Sequence, residues 1–401
     1  MSRIAHVNLG GSASAADGIG AVVATLAAEQ ERRGTTVLVL GPAWAESDAG
    51  EPPPLFRAKR ELARFAPDAV HFHSVYRPAH ALLALWCRAH AVPYVVSPHS
   101  GLAAAARRRQ AVRKAWWIRL VDAPMLRRAR AVVCLSGQER DDVLAAAPRA
   151  GTRIVANLLA GDPADVPRWT GGIGGTGDPG AAPHPSGVVA PAGDGIPAAP
   201  GTGGGPGVVP RPRVLTLARY DVHQKGLDRI AELAARLPGI DFTVHGTFDK
   251  NDPDGARRLI DAAPPNLDFA GVVTGEEKDR ALAGADLYLQ PSRWEGMSVA
   301  VLEAMRAGVP CAVSPEVAPT LGADGAAGVC VLPNEPDDAA RTLSAALADP
   351  AAGRARARAA AAWVQRTTAP GAIVESLAAA YGIAARGKAS GRRRAAGITA
   401  P

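Results

Sequence analysis

The sequence predicts an α/β protein built from two doubly wound domains, and three observations carry that prediction. Short β-branched runs alternate with amphipathic helical patches from residue 4 to residue 135. The same rhythm restarts at Val214 and runs through the second half of the chain. Between the two, residues of about 160–212 are mostly Gly, Pro and Ala with almost no periodicity. Alternating β and α units close most simply as a parallel sheet covered on both faces.

In the first run, strands are expected at residues 4–9, 36–40, 69–72, 94–97 and 131–135. A helix over 21–33 is ended by Gly34. The second run predicts strands at 214–218, 241–245, 267–269, 287–290 and 311–314, and helices at 226–236, 276–283, 299–307 and 337–348. Residues 353–384 are helical in character. The domain plan is therefore 1–160, a flexible linker or insertion at 161–212, a second domain at 213–365, a last helix at 366–385 and a basic disordered tail at 386–401. The linker lacks the apolar surface that would offset its ordering entropy.

Bulk composition narrows the function classes. Aromatics are only 4% of the chain, so Ala, Val and Leu must supply most of the packing. A net charge of +7 and a pI near 9.5 suggest an anionic partner. Cys87, Cys134, Cys311 and Cys330 are scattered without a C-x-x-C pair, which fits a reducing cytosol and suggests neither a zinc site nor a disulfide framework. No apolar h-region follows the N-terminus and no apolar run reaches the ~18 residues of a membrane span. Nucleic acid is not an expected partner, because no reader motif accompanies the charge.

The strongest chemical signal is Pro291-Ser-Arg-Trp-Glu295-Gly-Met-Ser-Val-Ala-Val-Leu-Glu303-Ala-Met-Arg-Ala-Gly308-Val-Pro310. Ser298 is an N-cap, and Gly308 with Pro310 stops the helix. Free N–H groups of Gly296, Met297 and Ser298 at that helix start suit a phosphate. Glu303 sits in an apolar run where a carboxylate needs a partner, and ribose hydroxyls would serve. Glu295 is placed to hold hydroxyls of a transferred sugar. A second signal is Val214-Leu-Thr-Leu-Ala-Arg219-Tyr-Asp-Val-His-Gln-Lys225-Gly226. Arg219 and Lys225 beside a helix start make a diphosphate site, and preorganised cations stabilise the charge that grows on a departing diphosphate. The Gly-rich loop at 10–20 lets backbone at Gly11, Gly18 and Gly20 approach a donor phosphate or an acceptor.

Together these segments resemble the donor-site motifs of glycosyltransferase family 4, retaining enzymes of the GT-B fold. The matching residues are Arg219, Lys225, Gly226, Glu295, Gly296, Glu303, Ala304, Met305, Gly308 and Pro310. The resemblance spans nearly the whole chain apart from 160–212 and the tail. It implies two Rossmann-like domains facing across a cleft, the first holding the acceptor and the second the nucleotide, with the last helix crossing back. Arg219 and Lys225 would bind the diphosphate, Glu295 the donor sugar and Glu303 the ribose. Ser97-Pro-His99-Ser-Gly101 matches a pattern that places a His near the transferred sugar, and Asp68-Ala-Val-His71-Phe-His73 matches a His pair at a strand end. His99 then joins Arg219, Lys225 and Glu295 as catalytic, and His73 falls on the acceptor side. Family members usually carry Pro-Asn-Gly where this chain has Ala156-Asn157-Leu158, and Leu does not readily take the positive φ of Gly.

Arg107, Arg108, Arg109, Arg113, Lys114, Arg119, Arg127, Arg128 and Arg130 crowd around Trp116 and Trp117, with Asp122 the one acid. A basic helix with interfacial Trp suits an anionic membrane surface at 107–130, or an anionic acceptor met by Arg107 and Arg113. Asp252-Pro-Asp254, in an expected loop, is a chance D-x-D. The expected protein is a cytoplasmic, retaining, metal-independent hexosyl-type transferase, peripheral on the inner membrane face. It would use a nucleotide-diphosphate sugar and a saccharide or lipid-linked acceptor, without a cofactor, in cell-surface polysaccharide or glycoconjugate synthesis. The rivals are a nucleotide-sugar epimerase, a phosphorylase, or a non-catalytic scaffold on the same fold.

The linker reading predicts that limited proteolysis cleaves first between residues 165 and 208. Because loop-closure entropy depends weakly on length, deleting most of that stretch should shift the unfolding midpoint little. A protease-resistant segment would contradict the reading.

Overall fold

The computed structural model describes residues 2–9, 18–42, 54–108, 110–161, 210–249 and 252–383. The expected linker, the C-terminal tail and the loop carrying Gly11 fall largely or wholly outside them. Two compact units appear: residues up to 160 together with those from 368 onward, and residues 161–367.

Unit 1 runs β1 (Arg3–Val7), α1 (Gly18–Arg32), β2 (Thr36–Leu40), α2 (Pro54–Phe65), β3 (Ala69–His73), α3 (Pro78–Ala89) and β4 (Tyr94–Ser97). It continues with α4 (Ala104–Arg108), α5 (Ala111–Trp117), a π-turn (Ile118–Asp122), α6 (Ala123–Arg128), β5 (Ala131–Cys134), α7 (Gly137–Ala146) and β6 (Thr152–Ile154). All pairs are parallel, in the order β2-β1-β3-β4-β5-β6. Gly18 and Gly20, expected in a loop, lie in the first turn of α1.

Unit 2 contains β7 (Arg213–Leu217), α8 (Val222–Lys225), α9 (Leu227–Arg236), β8 (Asp241–His245), α10 (Pro253–Asp261), β9 (Leu267–Phe269), α11 (Gly275–Ala283) and β10 (Leu287–Gln290). After these come α12 (Val299–Ala307), β11 (Cys311–Val313), α13 (Gly322–Ala326), β12 (Cys330–Val331), α14 (Pro336–Ala348) and α15 (Pro350–Thr367). Its parallel sheet has the order β12-β11-β10-β7-β8-β9. Leu227, Ile230, Leu233 and Ala234 recur at helical spacing on α9 and are buried against this sheet. Full burial of a side chain such as Leu227 contributes about 2 kcal/mol.

The helical stretch expected over 353–384 is two helices. Ala369 is extended (φ −57°, ψ 119°) before Pro370, and α16 (Pro370–Tyr381) follows. Its Ile373, Leu377 and Tyr381 pack on Ile4, Val95 and Val133, covering one face of the unit 1 sheet. Asp252, expected in a loop, caps α10 instead: its carboxylate accepts the Gly255 N–H at 2.9 Å, while Asp254 pairs with Arg257 at 3.0 Å. Among the described residues no helix is long and apolar enough to cross a membrane.

Candidate functional site

In unit 2 the chain builds outward from β7 through β8 and β9, then returns to β7's other side with β10. Parallel sheets open a ligand crevice at the carboxyl ends of strands where the order reverses in this way. The loops leaving β7 and β10 are the two segments that sequence singled out. Gly226 fastens them together: its φ is +68°, and a Cβ there would stand 2.3 Å from the Pro291 carbonyl oxygen. Both facts demand glycine. Arg293 strengthens the junction with a bidentate pair to Asp228 at 2.7 and 2.8 Å.

Lys225 and Glu295 meet there, Nζ to Oε1, at 2.6 Å. The side chains retain only 18% and 9% exposure, so each charge leans on the other. A polar chain orients the carboxylate from behind. Tyr288 donates to Gln290 Oε1 (2.7 Å), Gln290 Nε2 to Ser292 (2.6 Å), and Ser292 to Glu295 Oε1 (2.8 Å). Burial raises the Tyr288 phenol well above its ordinary value, which keeps it a donor. Arg219 pairs with buried Asp249 at 2.8 Å. Ser298 caps α12 through the Val301 N–H, and Gly308 ends that helix at φ +79°. Glu303 is buried and meets Lys278 of α11 at 2.6 Å. Asp249 and Lys278 escaped the sequence reading, since neither lies within a helical turn of its partner in the chain.

Unit 1 reverses its strand order between β1 and β3. His6 stands opposite His71 across that pair, and His73 lies two residues on, so all three project from one face. Each offers a nitrogen within 4.8 Å of the others, a spacing that would suit a metal ion. Every ring nitrogen of the three nonetheless has a hydrogen-bond partner. His6 Nε2 meets Gln30 Oε1 at 2.8 Å, and His6 Nδ1 meets His73 Nε2 at 2.9 Å. His73 Nδ1 meets His99 Nε2 at 3.0 Å. His71 bridges Tyr381 (2.9 Å) and Ser97 (2.8 Å), and Gln30 Nε2 donates to the Tyr381 hydroxyl at 3.3 Å. The trio is thus a hydrogen-bonded relay.

Desolvation holds these rings neutral. It lowers His6 and His99 to about 4 and takes His71 and His73 well below 6.5. A neutral imidazole has one donor and one acceptor. Gln30 Oε1 can only accept, so His6 carries its proton on Nε2, His73 on Nε2 and His99 on Nε2. His73, expected on the acceptor side, is 1% exposed, has both nitrogens engaged and stands behind His99. Of the four relay imidazoles, His6, His71, His73 and His99, the last alone is partly exposed.

The His99 loop is strained, with φ +49° at His99 and +58° at Ser100. Buried Glu139 of α7 holds it: one carboxylate oxygen accepts the Ser100 N–H and the other the Leu135 N–H, both at 2.6 Å. Burial pushes Glu139 up to about 7. His80 ties the β1 loop to the β3 loop, accepting the Leu9 N–H at 3.2 Å. His71, His73, Ser97, His99 and Asn157 line a cavity of about 30 Å³. Arg107 lines a separate groove of about 850 Å³ that shares no residue with it, and Arg113 lines neither. The acceptor-side grouping of His73, Arg107 and Arg113 is therefore not brought together.

A family model described as "Glycosyl transferases group 1" matches residues 211–349, and one described as "Glycosyltransferase Family 4" matches residues 16–157. The MMP alpha-(1->4)-mannosyltransferase of Mycolicibacterium hassiacum is 30% identical over 148 residues. That match spans 35% of this chain and 35% of the relative, about a third of its length. Sucrose-phosphate synthase from Thermosynechococcus elongatus superposes with a TM-score of 0.73 at 17% identity, over 95% of this chain and 98% of that one. Anabaena HepE in complex with UDP-glucose gives 0.69 at 15%, over 94% and 100%. These likenesses show the fold, two doubly wound units of the GT-B class.

The relay makes stability depend on pH. Below about pH 6.5 the unfolded chain protonates histidines that the folded chain keeps neutral, so stability falls from pH 6.5 towards 4. His6 alone contributes up to about 1.4 kcal/mol per pH unit there. Glu139, Asp122 and Asp142, whose carboxyls burial raises, oppose the trend because the folded state protonates them first. Six lowered histidines, counting His80 and His245, outnumber them. Urea unfolding at pH 7 and pH 5 should show the loss, with a shallower slope for His6→Gln; equal slopes would contradict it.

Proposed function

The chain belongs to the family 4, group 1 glycosyltransferases, and on that premise we propose that it moves a sugar from a nucleotide-diphosphate donor to an acceptor with retention of configuration. The observation that carries this reading is the Lys225–Glu295 pair at the β7/β10 strand reversal, with Arg219 in the same loop and the α12 N-terminus beside it. HepE, solved with UDP-glucose, makes UDP-sugars the first donors to test.

The roles follow from charge and donor capacity. Lys225 has three N–H donors, so it can keep Glu295 and still meet a phosphate oxygen. When the bond from the sugar's anomeric carbon to the diphosphate breaks, its electron pair goes to the phosphate oxygen. Arg219 and Lys225 stabilise that charge without reorganising. Amide N–H groups at residues 296–298 add the positive end of a helix dipole. Glu295, already accepting from Lys225 and Ser292, is a poor nucleophile and a good partner for sugar hydroxyls. The acceptor oxygen then attacks on the face the diphosphate leaves, and its proton passes to the leaving phosphate. Glu303, held by Lys278, is the ribose-facing carboxylate of this reading.

The acceptor is a saccharide or a lipid-linked saccharide, and the reaction belongs to cell-surface polysaccharide or glycoconjugate synthesis in the cytoplasm. Four free thiols, Cys87, Cys134, Cys311 and Cys330, are consistent with a reducing compartment.

Lys225→Ala and Arg219→Ala should each lower kcat/KM by roughly 2–4 kcal/mol, about 30- to 1000-fold, with circular dichroism unchanged. Near-wild-type turnover by both would end the assignment, and release of free or epimerised sugar without a linked product would favour the rival chemistries. Activity should also survive EDTA, since Asp252 and Asp254 are spent on the start of α10. Loss on chelation, restored by Mn²⁺ or Mg²⁺, would overturn metal independence.

A further inference from the structure

We propose that the helical segment 104–128 of unit 1 is a docking surface for an anionic lipid bilayer. Val112, Trp116 and Leu120 are 75%, 61% and 65% exposed, among the most exposed large apolar side chains described. They recur every fourth residue along α5 and the π-turn. A π-turn takes one more residue than an α-turn, which keeps Leu120 in line above Trp116. It also turns Ile118 and Asp122 inward, where both are buried. The stripe is a deliberate outer face of a helix whose other face is anchored.

Cations flank that stripe. Arg108, Arg113, Arg119, Arg127 and Arg128 are exposed. Arg107, Arg108, Arg119 and Arg127 line the 850 Å³ groove, whose apolar lining includes Leu120 and Ile118. The acids nearby are already engaged. Asp122 is buried and accepts the Tyr76 N–H, Asp142 accepts the Ala104 N–H, and Asp141 pairs with Arg140.

The pairing of an apolar ridge with arginines decides the partner. A nucleic acid or a soluble polyanion would use the cations and leave Trp116 and Leu120 in water. A bilayer of anionic lipids takes both, the ridge at the acyl boundary and the guanidinium groups at the phosphates. Each basic residue near such a surface adds roughly fivefold to partitioning, and the attraction decays within about 10 Å at 0.1 M salt. This surface stands whether or not the chain transfers sugar.

The full chain is sedimented with vesicles of phosphatidylglycerol and phosphatidylcholine, and with phosphatidylcholine alone, at about 0.05 and 0.5 M salt. The wild type should pellet with the anionic vesicles at low salt, at least tenfold above the neutral ones, and largely release at high salt. Arg108→Gln with Arg119→Gln and Arg127→Gln should abolish that binding. Trp116→Ser with Leu120→Ser should weaken it tenfold or more, with the thermal midpoint unchanged because both side chains are exposed. A wild type left in the supernatant at low salt would overturn the proposal. So would full binding by the Trp116/Leu120 variant, which would reduce the surface to unspecific charge, or binding to heparin with none to vesicles.

Discussion

In a sheet whose strands all run the same way, each connection must cross a face before the next strand begins, so helices cover both faces and dry them. Polar groups that need a partner or a ligand are driven to one edge, where the strands end. Both units obey that constraint, and each places its chemistry where strand order reverses: β7 beside β10 in one, β1 beside β3 in the other. Gly226 against Pro291 and Glu139 against the His99 loop are two solutions to one task, fixing irregular backbone at that edge.

The two edges differ in electrical character. In unit 2 buried carboxylates are paired with cations nearer the surface: Glu295 with Lys225, Asp249 with Arg219, Glu303 with Lys278. Such a site is preorganised for an anion that replaces or joins an internal carboxylate. In unit 1 the relay consists of neutral imidazoles, the Tyr381 and Ser97 hydroxyls and an amide, with the Glu139 carboxyl spent on backbone N–H groups behind it. That edge is suited to orienting hydroxyl groups by direction of hydrogen bond, and is poorly suited to holding net charge.

Much of this was legible in the residues. Strands at 36–40, 94–97, 241–245, 267–269 and 287–290 were read with the observed ends, because short runs rich in apolar residues and bounded by Gly and Pro leave little choice. The edge strands β6 and β12 were missed, as two or three residues carry no period. Arg219, Lys225, Glu295 and Glu303 stood out because charge next to glycine or inside an apolar run contradicts its surroundings. Lys278 and Asp249 gave no such contradiction; only folding brings them to their partners. The histidine relay was half visible, since His71 and His73 share a face by strand period, but His6 and Tyr381 join it through pairing and packing across the chain.

The relay has a direction, and the direction is chosen far from its open end. Each ring passes on a single decision, proton on this nitrogen or on that one, like a row of pointers that must all turn together. The first pointer is the Gln30 amide, whose Nε2 donates to the Tyr381 hydroxyl on the last described helix. With Gln30 reversed, its NH₂ would face His6 Nε2, and every imidazole out to His99 would have to hand its hydrogen to the other nitrogen. The docking of α16 therefore does more than cover a sheet. Through Tyr381 it adds a hydrogen-bond partner to the amide whose direction sets which nitrogen of His99 presents a lone pair, and so joins the last described helix to a loop formed from the first hundred residues.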